Sequence, residues 1–224
     1  MYITILTLFP DMFRGPFDMS IINRAIQKGV VSIKYVNIRD FATDKHKSVD
    51  DHPYGGGAGM ILRVDVVSKA IDHAKTLHPN TNTKTILMDP QGKQFSQRYV
   101  KQMATVDHLI LLCGHYEGVD ERIRTLVDDE FSIGDYVLTC GELPAMVIVD
   151  TVVRLLPGVL KKEGVTTNES FEDNLLEYPQ YTKPDIFNGL AVPDILRSGN
   201  HSKILEWQKK EAIKRTSTKR PDLT

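Results

Sequence analysis

Four glycines fall within nine residues, HPYGGGAGM (52–60), and Asp50, Asp51, His52 and Tyr54 stand beside them. Glycine inside a regular element costs about 1 kcal/mol relative to alanine. Such a cluster therefore reads as a loop in which backbone approaches something closely or takes positive φ. Phosphate is the first chemistry to test. A phosphate-cradling GxxxxGK[ST] loop needs a lysine for the phosphates and a hydroxyl for magnesium, and GGGAGMIL (55–62) has neither. A dinucleotide-binding GxGxxG needs a strand before it and a helix after it. Here the preceding residues, ATDKHKSVDDHPY (42–54), are polar and turn-rich. Both nucleotide readings fail, and the flanking acids, imidazole and phenol leave a polar site, with a plain flexible loop as the alternative.

Three further loops follow expected strands: MDPQGKQFS (88–96), CGHYEGVDER (113–122) and SIGDYVLTCGELPAM (132–146). In open α/β sheets ligands bind outside the carboxyl ends of the strands. Gly92, Gly114, Gly118, Gly134 and Gly141 open the backbone there, and bare amide and carbonyl groups can read an adenine edge. Glycine after a strand is also ordinary turn chemistry; three such loops at one end of a sheet point to a cofactor pocket. The histidines (His46, His52, His73, His78, His108, His115 and His201) show no metal-ligand spacing, so no metal site is expected. Cys113 and Cys140 read as free thiols of a reducing, cytoplasmic compartment.

The elements that must position these loops alternate along the chain. YITILTLF (2–9), VSIKYVNI (31–38), KTILMD (84–89) and HLILLCG (108–114) read as strands, with a short fifth inside 132–146. SIINRAIQKG (20–29), VDVVSKAIDHAKTL (64–77), SQRYVKQMA (96–104), VDERIRTLV (119–127) and LPAMVIVDTVVRLL (143–156) read as helices, the last apolar on most faces and hence buried. This alternation predicts an α/β domain over 1–160, a mostly parallel sheet with helices on both faces. Residues 161–185 lack periodicity and read as an interdomain linker or loop, and 186–224 as a small basic helical domain. In that tail Arg197, Lys203, Lys209, Lys210, Lys214, Arg215, Lys219 and Arg220 face only Glu206, Glu211 and Asp222. A solvated lysine-rich helix face and a phosphate-binding surface both have this composition. With 224 residues, 41% hydrophobic and 25% charged, and a net charge of −1, the chain is an ordinary globular protein rather than one that coats nucleic acid. Its opening, MYITILTLFPDMF, has no basic leader segment, and no run reaches a membrane-span length.

LFPDMF, VDDHPYGGGAGM, CGHYEGVDER, SIGDYVLTCGELPAM, RLLPGVL, SFEDNLLEYPQYTKP and SGNHSKILEW occur in order along nearly the whole chain. In these motifs it resembles the bacterial tRNA (guanine-N(1))-methyltransferases of the SPOUT class, departing at Cys140, where the family commonly has glycine. The resemblance implies a trefoil knot in the α/β domain, S-adenosylmethionine as cofactor, and an obligate homodimer with its active site at the subunit interface. It implies tRNA as substrate, methylated at N(1) of the guanine at position 37, just 3′ of the anticodon; magnesium is allowed through the RNA. Carried over by position, the cofactor site involves Leu87, Pro90, Gly114, Tyr116 and Glu117 from the first loops. From the last it involves Ser132, Ile133, Gly134, Asp135, Tyr136, Val137, Leu138, Gly141 and Pro144. Substrate contacts are expected at His46, Asp50, Tyr54, Gly55, Gly56, Gly57 and Gly59, and at Ser198, Asn200 and His201.

The same resemblance implies Asp173 and Arg154 as catalytic residues, and the chemistry has uses for them. N(1) of guanine carries a proton and is a poor nucleophile until a base takes it, which is the role of Asp173. Arg154 can stabilise the charge that then builds on the guanine oxygen. Read without the resemblance, Arg154 is an i,i+4 ion-pair partner of Asp150, and Asp173 an exposed linker acid. Two rival functions stay open: an RNA-binding module without catalysis, and an α/β enzyme using another nucleotide.

Overall fold

The computed structural model describes residues 1–160 and 169–223. The chain divides into two compact units, Met1–Lys161 and Lys162–Thr224. The first eight residues of the expected linker, 161–168, and the final residue lie outside the described residues.

The first unit is built on β1 (Tyr2–Thr7), α1 (Ser20–Gln27), β2 (Ser32–Asn37), β3 (Asp50–Asp51), β4 (Ile61–Leu62), α2 (Val64–Thr76), β5 (Thr83–Gln94), α3 (Gln97–Met103), β6 (His108–Cys113), β7 (Asp129–Ser132) and α4 (Glu142–Leu155). Five strands form one sheet in the order β2-β1-β6-β5-β7, every pair parallel. All of β6 is buried, as a central strand covered on both faces must be. The pleat sends alternate residues to opposite layers. Ile3, Ile5, Ile86, Leu109 and Leu111 pack with α1, α3 and α4, while Leu6, Leu87, Ile110 and Leu112 pack with α2.

Some expected elements differ. The strand expected at 84–89 runs on to Gln94, because β5 pairs with β7 twice: Met88 and Lys93 both register with Phe131, and residues 89–92 bulge out. The fifth strand ends where the stretch 132–146 begins. Its acidic sequence hid it; Lys84 and Lys93 hold Asp129 at 2.7 and 2.6 Å, neutralising this sheet edge. The helix expected over 119–127 is a tight turn, Glu121–Leu126, begun by the Asp120 carboxylate accepting from the Arg122 amide; Val119 is drawn out of it to bridge Leu62. On α4, Leu143 and Val147 are 44% and 40% exposed, so the helix is not buried all round.

In the second unit, the turn Glu172–Asn174 is followed by the hairpin β8 (Ile186–Phe187) and β9 (Leu190–Ala191), α5 (Asp194–Arg197) and α6 (His201–Lys219). Thr216 of α6 is buried and accepts the Leu176 amide at 2.8 Å, which ties the extended residues before the hairpin to the helix. No helix of the described residues is long and apolar enough to cross a membrane.

Candidate functional site

The three loops at the carboxyl end of the sheet meet around a cavity of about 250 Å³. Its walls are the bulge that interrupts β5, the turn after β6 and the irregular chain between β7 and α4. Two of these segments touch backbone to backbone. The Gly141 amide donates to the Gly114 carbonyl at 2.8 Å, and a Cβ on Gly141 would stand 2.5 Å from Gly114 N. No side chain fits between them. Cys140 is not in the left-handed region, so its backbone has no need of the glycine found there in the family pattern. The 132–136 turn is closed internally: Ser132 Oγ donates to the Gly134 carbonyl at 2.9 Å, and Tyr136 Oη reaches the Ile133 carbonyl at 3.3 Å.

Pro90, Gly114, Tyr116, Glu117, Ser132, Ile133, Gly134, Tyr136, Val137, Leu138, Gly141 and Pro144 line this cavity. Leu87 and Asp135 do not: Leu87 is sealed in the α2-side core, and Asp135 is exposed. Sequence reasoning missed an ion cluster in the wall. Arg124, in the turn Glu121–Leu126, contacts Asp89 at 3.3 Å, Glu121 at 2.9 Å and Glu130. Burial pulls the Arg124 guanidinium down, but these three carboxylates outweigh it and hold it above its usual value. Asp89 Oδ1 also accepts the Gln91 amide at 2.8 Å, which folds the bulge. The signal was an acid next to proline and glycine in MDPQG, with its cation 35 residues away. His115 was missed as well; it lines the cavity with a buried Nδ1 that has no hydrogen-bond partner among the described residues.

Behind the wall, Glu142 is fully buried in the first turn of α4. It accepts from Thr7 Oγ1 at 2.6 Å, so the end of β1 anchors the turn that carries Gly141 and Pro144. Its second carboxylate oxygen is buried without a hydrogen-bond partner among the described residues.

The glycine-rich loop is the tip of the β3–β4 hairpin, and the chain after β6 is stitched to it. Glu117 N donates to Met60 O, Leu62 N to Gly118 O and Asp120 N to Leu62 O, each at 3.0 Å. Tyr116 lies between hairpin and cavity. Burial first, then its hydrogen bond to Asp50, raises the phenol above its usual value; Arg39 Nη2 lies 3.4 Å from the same oxygen. Tyr54 and Gly55, Gly56, Gly57 and Gly59 are exposed, and these four glycines have positive φ. His46 is exposed in a turn in which Asp44 accepts the amides of His46 and Ser48.

The two expected catalytic residues lie in different units. Arg154 is in the last turn of α4 and half-buried. Asp173 is exposed and sits in a stretch of four residues of which three are left-handed: φ is 75° at Phe171, 48° at Asp173 and 58° at Asn174, with Glu172 between the first two. Such conformations cost roughly 1–3 kcal/mol each in residues other than glycine and gather at functional sites. Asp173 also lines a cavity of about 350 Å³ within the second unit, with Leu175, Leu176, Tyr178 and Leu205. Ser198, Asn200 and His201 form the start of α6: Asn200 caps it by accepting the Lys203 amide at 3.1 Å, Ser198 accepts the Asn200 amide at 3.2 Å, and His201 is exposed. Among the described residues, no group of three or more His, Cys, Asp or Glu side chains is arranged to hold a metal ion.

With this geometry in hand, comparisons with known proteins give one consistent answer. The family model described as tRNA (Guanine-1)-methyltransferase TrmD matches residues 1–224. The chain is 53% identical over 221 residues to a tRNA (guanine-N(1)-)-methyltransferase of Dictyoglomus turgidum, covering 99% of this chain and 89% of that one. It is 54% identical over 224 residues to the protein of that name from Geobacillus kaustophilus, covering 100% of this chain and 91% of the relative. The one from Carboxydothermus hydrogenoformans is 53% identical over 224 residues, covering 100% and 87%.

Proposed function

This chain belongs to the tRNA (guanine-1)-methyltransferase family, and from that premise we propose that it methylates N(1) of guanine 37 of tRNA, 3′ of the anticodon, using S-adenosylmethionine. The observation that carries the reading is the cavity at the carboxyl end of the sheet. Its residues suit the donor. Ile133, Val137, Leu138 and Pro144 offer apolar walls for a ring, and the Gly114–Gly141 crossing brings bare backbone to the cavity. Asp89, Glu117 and Glu121 against the single Arg124 leave an excess of carboxylates for a cationic ligand. When bound, the donor supplies an electrophilic methyl carbon on a sulfonium.

The rest is work for the protein's own groups. Methyl transfer is an in-line displacement, so holding the guanine in line supplies much of the rate. Asp173 takes the N(1) proton, and Arg154 balances the negative charge that the guanine oxygen then carries. The exposed carboxylate of Asp173 in its strained turn supports that role. The hairpin tip and the start of α6 receive the RNA around the target base, and the exposed Lys203, Lys209, Lys214 and Lys219 of α6 contact its phosphates. Residues 186–224 thus form the RNA-binding domain, joined through 161–185, and any magnesium enters with the RNA. We read the close pass of Gly141 under Gly114 as part of a trefoil knot. Leu143 and Val147, exposed one turn apart on α4 beside the cavity wall, support a homodimer with the active site at the subunit interface. A tRNA-modifying enzyme of this kind works in the cytoplasm.

Incubation with methyl-labelled S-adenosylmethionine and unmodified tRNA tests the proposal. Label is expected on N(1) of guanine 37. Donor binding without transfer favours the RNA-binding module, and label at another atom overturns the site assignment.

A further inference from the structure

The four glycines of the hairpin tip do different jobs. Gly55 and Gly56 have φ of +89° and +83°, and a Cβ on either would meet nothing within 4 Å. Gly57 would meet only Pro53 Cγ, at 3.8 Å. These three serve the turn itself. Gly59 has a φ of +85° and also lies beneath a side chain from outside the hairpin: a Cβ there would overlap Glu117 Cγ and stand 3.0 Å from Cδ and Oε1. The Glu117 amide is fixed to Met60 O at 3.0 Å, so its side chain crosses the hairpin where Gly59 leaves room, and Glu117 lines the cavity.

We propose that Gly59 is a positioning residue for the cavity: its missing side chain is the seat that holds the Glu117 carboxylate where a cationic ligand meets it. This rests on reading the cavity as the methyl-donor site. The hairpin glycine that sequence reasoning assigned to substrate therefore acts, through Glu117, on the cofactor. The atoms displaced by a methyl group at Gly59 belong to a flexible side chain, so Gly59→Ala moves Glu117 aside while the two backbones stay in place. The change reads out in affinity more than in stability.

The geometry supplies its own control. Gly56→Ala introduces a Cβ at nearly the same left-handed φ, with nothing for it to touch. Calorimetric titration of the RNA-free protein with S-adenosylmethionine is the measurement, with thermal unfolding of each variant alongside. Gly59→Ala is expected to weaken binding roughly tenfold, the scale of one charge-assisted contact. Gly56→Ala is expected to stay within about twofold, and both to unfold at similar temperatures. In a Glu117→Ala background, Gly59→Ala should cost no more than Gly56→Ala does. Equal losses for the two alanines, or a Gly59→Ala loss that persists without the Glu117 side chain, overturn the seat. A wild-type protein that takes up no donor overturns the site reading beneath it.

Discussion

A single strand, β6, carries a histidine at or just beyond each end, and the two are treated differently. His108, its first residue, is fully buried; its Nε2 bonds Thr4 Oγ1 at 2.8 Å, and its ring meets His78 edge-on at 4.8 Å. His78 in turn stacks on Tyr2 at 3.6 Å, so aromatic rings close the amino end of the sheet. His115, two residues past the other end of β6, lies 5.0 Å from Phe9 and 4.7 Å from Tyr116 and faces a cavity. The same kind of ring thus closes one end of the sheet and lines a hollow at the other. In a parallel sheet, strand ends with free backbone and diverging loops collect at the carboxyl edge, where a ligand can use them. The amino end is left to stability. The contrast predicts that changes at one end alter binding and chemistry, and changes at the other alter folding.

The largest effect tests whether the carboxyl end holds the donor without doing the proton transfer. Asp173→Asn removes the proposed base yet keeps a residue that tolerates the left-handed backbone at 173. Methyl transfer should fall by about 10²–10⁴-fold, while donor affinity measured by calorimetry holds. If affinity falls in step with rate, Asp173 belongs to the binding site and the division is wrong.

The amino end is tested by pH. Burial first, then the neighbouring His78, holds His108 down to about 4. Unfolding returns it to about 6.5, so between these values the unfolded chain binds more protons and the fold loses stability as pH falls. Above about pH 6.5 the contribution is flat. Over the whole window it amounts to roughly 3 kcal/mol. His108→Gln, whose amide can still reach Thr4, should flatten that share of the difference between urea midpoints at pH 7.5 and pH 4.5. It should leave donor affinity at neutral pH alone. A variant that loses donor affinity instead joins the two ends and breaks the contrast.

How much of this was legible in the sequence follows the same line. Most strands and helices over the first 156 residues could be read because their apolar periodicity is local, and Ile3, Ile5, Leu109 and Leu111 announce a core wherever they fall. The edge strand β7 could not, because its residues are acidic and depend on Lys84 and Lys93 from another strand. The loop residues of the cavity were named through resemblance; glycine and turn chemistry alone pointed only to a general region. Contacts between distant residues were silent: Arg124 with Asp89, Thr7 with Glu142, and Glu117 over Gly59. No periodicity or spacing encodes which side chain will lie across which glycine.

A smaller effect sharpens the contrast at the carboxyl end itself. Gly141→Ala sets a methyl group against the Gly114 backbone, and neither segment can turn away as a side chain can. Forcing atoms into such a contact costs roughly 1–3 kcal/mol. Because the contact is the cavity wall, the loss should appear in donor affinity as well as in the unfolding temperature. Gly158→Ala serves as the comparison: its φ is +79°, a Cβ there meets nothing within 4 Å, and it does not line the cavity. That variant should lose stability and leave donor affinity unchanged.

The smallest effect concerns α6, where cations outnumber acids without being uniformly neutralised. Lys210 pairs with Glu206 at 2.8 Å and, just past the helix, Arg220 pairs with Asp222 at 2.6 Å, while Lys214 is exposed on α6. If α6 contacts tRNA phosphates, Lys214 displaces a counterion when RNA binds. Lys214→Gln should then weaken tRNA binding a few-fold and reduce the slope of log affinity against log salt by about one. It should do so equally for every tRNA, since a phosphate contact carries no sequence information. Lys75→Gln, on the exposed side of α2, removes the same charge from the other unit and should leave the slope alone. A pair of variants with indistinguishable slopes returns α6 to the plainer reading of a solvated helix face, whatever the cavity binds.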